Sequence, residues 1–201
     1  MQRQRILVFF APLLVALLIG SACNGKKSEA EKAAALQDTT AQFVIETPYG
    51  EMVIELFQDT PKHRDNFIKL QTDGFYDGLY FHRVVPGVVI QGGDPLSRDR
   101  KNRQLHGSGG PGYTIPAEIK HQHLRGTLGA ARQDDEKNPN RESSGSQFFI
   151  NLTHNYYYDS TFTAFGKVVQ GMEVADKIAK VPRDALENPL EAIPMEIRRL
   201  N

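Results

Sequence analysis

The sequence holds a single cysteine, Cys23, and no tryptophan in 201 residues. One thiol cannot close an internal disulfide, so the fold must be held by its apolar core. Neither sign of charge is in excess, Lys plus Arg and Asp plus Glu standing at 24 each. A polyanion is therefore not an expected partner, and nucleic-acid binding is disfavoured. The apolar stretch Ile6–Gly20 falls short of the roughly 20 residues that span a bilayer. No Gly-x-Ser-x-Gly occurs, which leaves a serine hydrolase unsupported. Gly107-Ser-Gly-Gly-Pro-Gly112 lacks the Gly-Lys-Ser/Thr ending that grips phosphate and reads as a flexible connection. His121 and His123 have metal-like spacing but no third ligand, and read as a solvated loop. Asp134-Asp135-Glu136 lacks the alternating ligands of a calcium loop. No metal or other cofactor is expected.

What is present begins with an address. Arg3 and Arg5 precede the apolar stretch, and Gly20-Ser21-Ala22 lead into Cys23, the anatomy of a signal peptide. A signal whose cleavage leaves cysteine first resembles that of bacterial lipoproteins. The resemblance implies a signal peptide over 1–22, an acyl anchor on Cys23, and a place in the cell envelope facing the periplasm or the cell exterior. Residues 23–41, which include NGKKSEAEKAAALQDTTA, have few large apolar side chains and read as a tether. The folded domain is expected over 42–201, one unit with one core.

Within that domain most of the pattern has strand character. Phe43–Glu46 and Glu51–Phe57 flank a Pro/Gly turn at 47–50, and Met52, Ile54 and Leu56 alternate. Thr60-Pro61 offers an N-cap and a first-turn proline, with Gly74 as the stop. Strand-like runs follow at Tyr80–Val85, Val88–Gly92, Thr127–Ala131, Gln147–Leu152, Ala164–Val169 and Met195–Leu200, and a second helix at Gly171–Ala179. About eight short strands with two helices and no βα alternation predict a mainly β fold, a closed eight-stranded antiparallel barrel capped by two α-helices.

One segment carries the chemistry: Phe81-His82-Arg83-Val84-Val85-Pro86-Gly87-Val88-Val89-Ile90-Gln91-Gly92-Gly93-Asp94. It resembles the signature of cyclophilins, which reads FHR, two aliphatics, PG, three residues, then QGGD. Gly126–Arg132, Gly145–Ile150 and Phe165–Val168 continue the resemblance at the family's spacing, so that it spans 42–201. It implies a peptidyl-prolyl cis-trans isomerase that takes proline-containing polypeptides. Rotation about an X-Pro bond must break amide resonance, against a barrier of ~18–20 kcal/mol. In the twisted amide the prolyl nitrogen regains a lone pair, and a permanently charged guanidinium is suited to donate to it.

By the match, Arg83 is that guanidinium, with Gln91 and Phe149 beside it. Substrate contacts are implied for Val88, Val89, Ala131, Arg132, Gln147, Tyr157 and Phe162. Val88 and Val89 replace the family's aromatic and Met side chains, which predicts a shallower or wider seat for the proline ring. Tyr157 and Phe162 stand where many eukaryotic members carry tryptophan and histidine. Weak binding of the fungal cyclic peptide inhibitor follows, because the indole donor is missing. Asp134–Ser144 is longer than the family's usual loop.

Each residue has an ordinary alternative. Arginines usually end in surface ion pairs, phenylalanines in cores, and Tyr156-Tyr157-Tyr158 in a groove wall. The rival function is a non-catalytic proline-peptide binding or chaperone module on the same scaffold. Pure binding would tolerate loss of Arg83, Gln91 and Phe149, and all three are present. A monomer is expected.

Overall fold

The computed structural model describes residues 41–200. The signal segment, Cys23 and the tether up to residue 40 lie outside the described residues.

The first hairpin follows from its turn. β1 (Gln42–Thr47) and β2 (Gly50–Leu56) pair antiparallel with Thr47 opposite Gly50, leaving Pro48-Tyr49 to turn the chain. Gly50 sits at φ +127°, a conformation that side chains with a Cβ rarely adopt. Met52, Ile54 and Leu56 alternate into the core as their spacing predicts.

Helix α1 (Pro61–Thr72) starts at its proline, and Gly74, at φ +72°, follows its C-terminal end. Its capping departs from expectation, because the Thr60 side chain makes no cap bond. The hydroxyl turns back to the Phe57 carbonyl at 3.4 Å. Glu118 instead accepts the Lys62 and His63 backbone N–H groups at 3.2 and 3.1 Å, a carboxylate at the positive end of the helix. α1 lowers Phe67 into the core against Phe43 and Phe148, at centroid distances of 5.4 and 5.9 Å. Truncating such a buried ring costs about 3–5 kcal/mol.

The remaining strands of the main sheet are β3 (Leu79–Tyr80), β4 (Arg83–Val85), β5 (Val89–Gly92), β7 (Thr127–Ala130), β9 (Phe148–Asn151), β10 (Ala164–Gln170) and β11 (Pro194–Arg199). With β1 and β2 they form one antiparallel nine-stranded sheet in the order β3-β11-β1-β2-β10-β7-β9-β5-β4, curled around the core. The expected count of eight is exceeded because the run Tyr80–Val85 breaks at Phe81-His82 into β3 and β4, which end up as the two edges. A separate pair joins β6 (Thr114–Ile115) to β8 (Ser143–Ser144). Helix α2 (Met172–Ile178) turns Val174, Ala175 and Ile178 inward.

Register decides what faces where. Val84, Ile90, Ile150 and Leu128 lie on one rung across β4, β5, β9 and β7, and all four are fully buried. The neighbouring rung therefore points its side chains to the other face of the sheet.

Candidate active site

That neighbouring rung reads Arg83, Gln91, Phe149, Gly129. The three catalytic candidates thus stand side by side on adjacent strands and share one face. Val89, two residues before Gln91, shares it too. Arg83, Val89, Gln91, Ala131, Arg132, Phe149, Tyr158 and Phe162 line a cavity of about 130 Å³. That is well below the roughly 300–1,000 Å³ of sites that take drug-sized ligands, and suits a single ring.

The polar side of this cavity is a relay. Among the described residues, the Gly107 and Gly109 carbonyls accept from Gln147 Nε2 at 3.0 and 2.7 Å. The Gln147 amide is thereby oriented with Oε1 toward Gln91, whose Nε2 donates to it at 2.9 Å. Gln91 must then present its own Oε1 to Arg83, and Nη1 donates to it at 3.2 Å. On its other side, Arg83 Nε donates to Glu187 Oε2 at 2.7 Å. Arg83 does enter an ion pair, the ordinary fate of its kind. The pair uses Nε, and Nη2 makes no hydrogen bond to the described residues.

The apolar side is an aromatic box. Phe149 meets Tyr158 and Phe162 edge-on at 5.6 and 5.8 Å. His123 stacks on Phe149 at 5.6 Å and 22°, donates from Nε2 to the Phe162 carbonyl at 3.2 Å, and accepts from Asn151 Nδ2 at 3.2 Å. This histidine is fully buried, which corrects its reading as part of a solvated loop: its ring is the backing of Phe149. Burial lowers its pKa, against the opposing bond to the Phe162 carbonyl, so the neutral ring is favoured. Among the described residues no cluster of three or more metal-ligating side chains occurs.

Arg132 braces the box from outside. Its guanidinium carbon lies 4.6 Å from the Phe162 ring centre, and Nε donates to the Thr161 carbonyl at 2.7 Å. Nη2 pairs with Asp135 at 2.7 Å, and Arg141 holds the same carboxylate at 3.0 Å. Hydrogen bonding to Arg141, supported by Arg132, keeps the Asp135 carboxyl below its usual range. The long loop after Arg132 is thus tied to the wall of the recess.

Three implied contacts, Val88, Tyr157 and Gln147, fall outside this cavity. Val88 belongs to the turn that follows β4, its N–H bonded to the Val85 carbonyl, and two-residue alternation gives the inward place to Val89. Tyr157 is 73% exposed and stacks on Tyr156 at 4.1 Å. Tyr156–Tyr158 is a 3-10 turn, whose side chains project about 120° apart, so only Tyr158 reaches Phe149. Gln147 lies beside a larger adjoining cavity, walled by Gly107–Gly110 and the loop from Gln133 to Glu142, that also touches Gln91, Ala131 and Arg132. Sequence reasoning missed Tyr158, His123, Glu187 and the glycine-loop carbonyls. The glycine run, read as a flexible connection, sets the first orientation in the relay.

A curled antiparallel sheet thus presents a guanidinium beside a recess sized for a single ring. The family model for cyclophilin type peptidyl-prolyl cis-trans isomerases matches residues 42–199. The chain belongs to that family. It is 41% identical over 150 residues to a peptidyl-prolyl cis-trans isomerase of Synechococcus elongatus, covering 70% of this chain and 94% of that protein. A probable peptidyl-prolyl cis-trans isomerase of Brucella suis is 36% identical over 196 residues, 93% of each chain. Among solved structures, the cyclophilin type isomerase of Cryptosporidium parvum in the presence of the dipeptide Ala-Pro matches with a TM-score of 0.70 and 31% identity, covering 80% of this chain and 99% of that one.

Proposed function

We propose that the chain catalyses rotation about X-Pro bonds, with Arg83 as the group that favours the twisted amide. The proline ring enters the recess between Val89, Phe149, Tyr158 and Phe162. Arg83, pinned through Nε and Nη1, directs Nη2 at the prolyl nitrogen as it regains its lone pair. Planar amides offer no such acceptor, so the bond strengthens only on the way to the transition state. A preorganised donor of this kind contributes about 2–4 kcal/mol. The observation that carries the reading is the shared rung of Arg83, Gln91 and Phe149. The Ala-Pro dipeptide named with the related Cryptosporidium parvum structure supports a proline-containing peptide as ligand.

Exchange measured by NMR on a short X-Pro peptide tests the reading. The wild type should accelerate cis/trans exchange, and Arg83→Ala should lose roughly a hundredfold or more of that acceleration. Equal rates in both would remove the mechanism. Peptide binding without acceleration in the wild type would favour the binding-module alternative.

The finer architecture and the setting belong to the same proposal. The sheet is read as closing into a barrel at Phe81-His82, where the Phe81 N–H donates to Ile193 on one side and the His82 N–H to Gln91 on the other. The pattern Gly20-Ser21-Ala22-Cys23 behind a short apolar run supports export and acylation of Cys23, with clients among exported proteins and the enzyme acting as a monomer. Cys23→Ser should release the protein from the membrane fraction. Persistence there would contradict the anchor.

A further inference from the structure

Arg83 has a second holder besides Gln91, supplied from 104 residues further along the chain. Glu187 lies in a tightly organised turn. Asp184 Oδ1 accepts the Leu186 and Asn188 N–H groups at 2.9 and 3.0 Å. Arg103 reaches across to Asp184 Oδ2 at 3.1 Å and to the Asn188 carbonyl at 3.0 Å. His106 Nδ1 bonds Asn188 Oδ1 at 2.8 Å. The turn then docks on β4 itself, since the Glu187 carbonyl accepts the Val84 N–H at 2.8 Å, one residue beyond Arg83.

Glu187 adopts φ +65°, one of two residues other than glycine with positive φ among the described residues. A non-glycine residue there is uncommon and costs conformational energy. Arg83 and Glu187 side chains are 41% and 37% exposed, and a pair so wet adds little to stability. Its effect is geometric. Nε is taken by Glu187 and Nη1 by Gln91, so the guanidinium plane is held at two points.

We propose that Glu187 is a positioning residue for the isomerisation, fixing the catalytic guanidinium through its Nε. The proposal rests on the role given to Arg83 above, and it assigns Glu187 no contact with substrate.

Glu187→Gly, Glu187→Gln and Arg83→Ala separate the two ideas. Glycine accepts φ +65° without strain, so E187G should fold at least as well as the wild type while losing the carboxylate. Its kcat should fall roughly tenfold with KM little changed, the pattern for an interaction that matters in the transition state. E187Q keeps an acceptor for Nε and should stay within about threefold of wild type. The Arg83 Nε–H resonance, shifted by its acceptor in the wild type and in E187Q, should move to the position of a solvated arginine in E187G. An E187G enzyme with wild-type kcat beside a crippled R83A overturns the positioning role alone. E187Q as slow as E187G overturns it too. Wild-type rates in R83A would sink the function reading, and the positioning role with it.

Discussion

Gln91 donates its amide to Gln147, 56 residues away, and this one bond at 2.9 Å transmits the orientation of the glycine loop to Arg83. Both Gln147 contacts to that loop end on carbonyls, so its nitrogen has to face them and its oxygen has to face Gln91. Gln147→Leu breaks the relay without placing a charge in it. We expect kcat/KM to fall roughly tenfold with little loss of thermal stability, as checked by peptide exchange and melting.

Gly129 is the small member of the catalytic rung. A Cβ there would overlap the edge of the Phe149 ring and press on His123. Gly129→Ala should therefore displace Phe149 into the recess, lowering kcat/KM by roughly ten- to a hundredfold. Proline-peptide affinity, measured by titration, should weaken in parallel. An active, tightly binding variant would show that the ring has room to yield.

The tyrosine triplet gives a contrast between neighbours. Tyr158→Ala opens the wall of the recess and should cost roughly tenfold in kcat/KM, in line with about 1–3 kcal/mol for lost ring contact. Tyr157→Ala removes an exposed ring stacked on Tyr156 and should leave turnover on a short peptide within about twofold. The reverse ranking would restore Tyr157 to the site.

Acid should destabilise the fold through its buried histidines. Burial pushes His82 from 6.5 down to about 4, with Asp94 opposing the shift, and both ring nitrogens lack partners among the described residues. The unfolded chain binds the proton first, so stability is lost as pH falls from 6.5 toward 4 and changes no further from this group below that. His63 and His123 shift in the same direction, burial being the main cause in each. Melting temperature should decline across that window, and His82→Gln should flatten the slope without abolishing it.

The sequence made legible what lies in contiguous motifs. Arg83 and Gln91 sit in one hairpin, and Phe149 falls in a second matching stretch, so their shared rung follows once the strands pair. Helix α1 and the β1–β2 hairpin were readable because Pro61, Gly74 and Gly50 punctuate them, and helix α2 because Met172, Ala175 and Ile178 recur at helical spacing. What escaped are features made only by tertiary contact. Backbone carbonyls at Gly107 and Gly109 carry no side-chain signature, and Glu187 looks like any loop acid until its turn docks on β4. Val88 and Tyr157 were assigned by position within a motif and stand outside the recess, which is lined by Val89, assigned with them, and by Tyr158, which was not. Thr60 had the right residue type for a cap, yet a carboxylate from Glu118 reached the helix end first.

The strands carry Arg83, Gln91 and Phe149, whereas the loop from Gln133 to Glu142 borders only the adjoining cavity and is separable from them by protein engineering. Exchanging the stretch 133–142 for that of relatives should alter which neighbours of proline are preferred while turnover survives. Deleting one residue inside β5 would instead swap inside for outside and silence the catalyst outright. Diversification of this scaffold is thus channelled toward its rim.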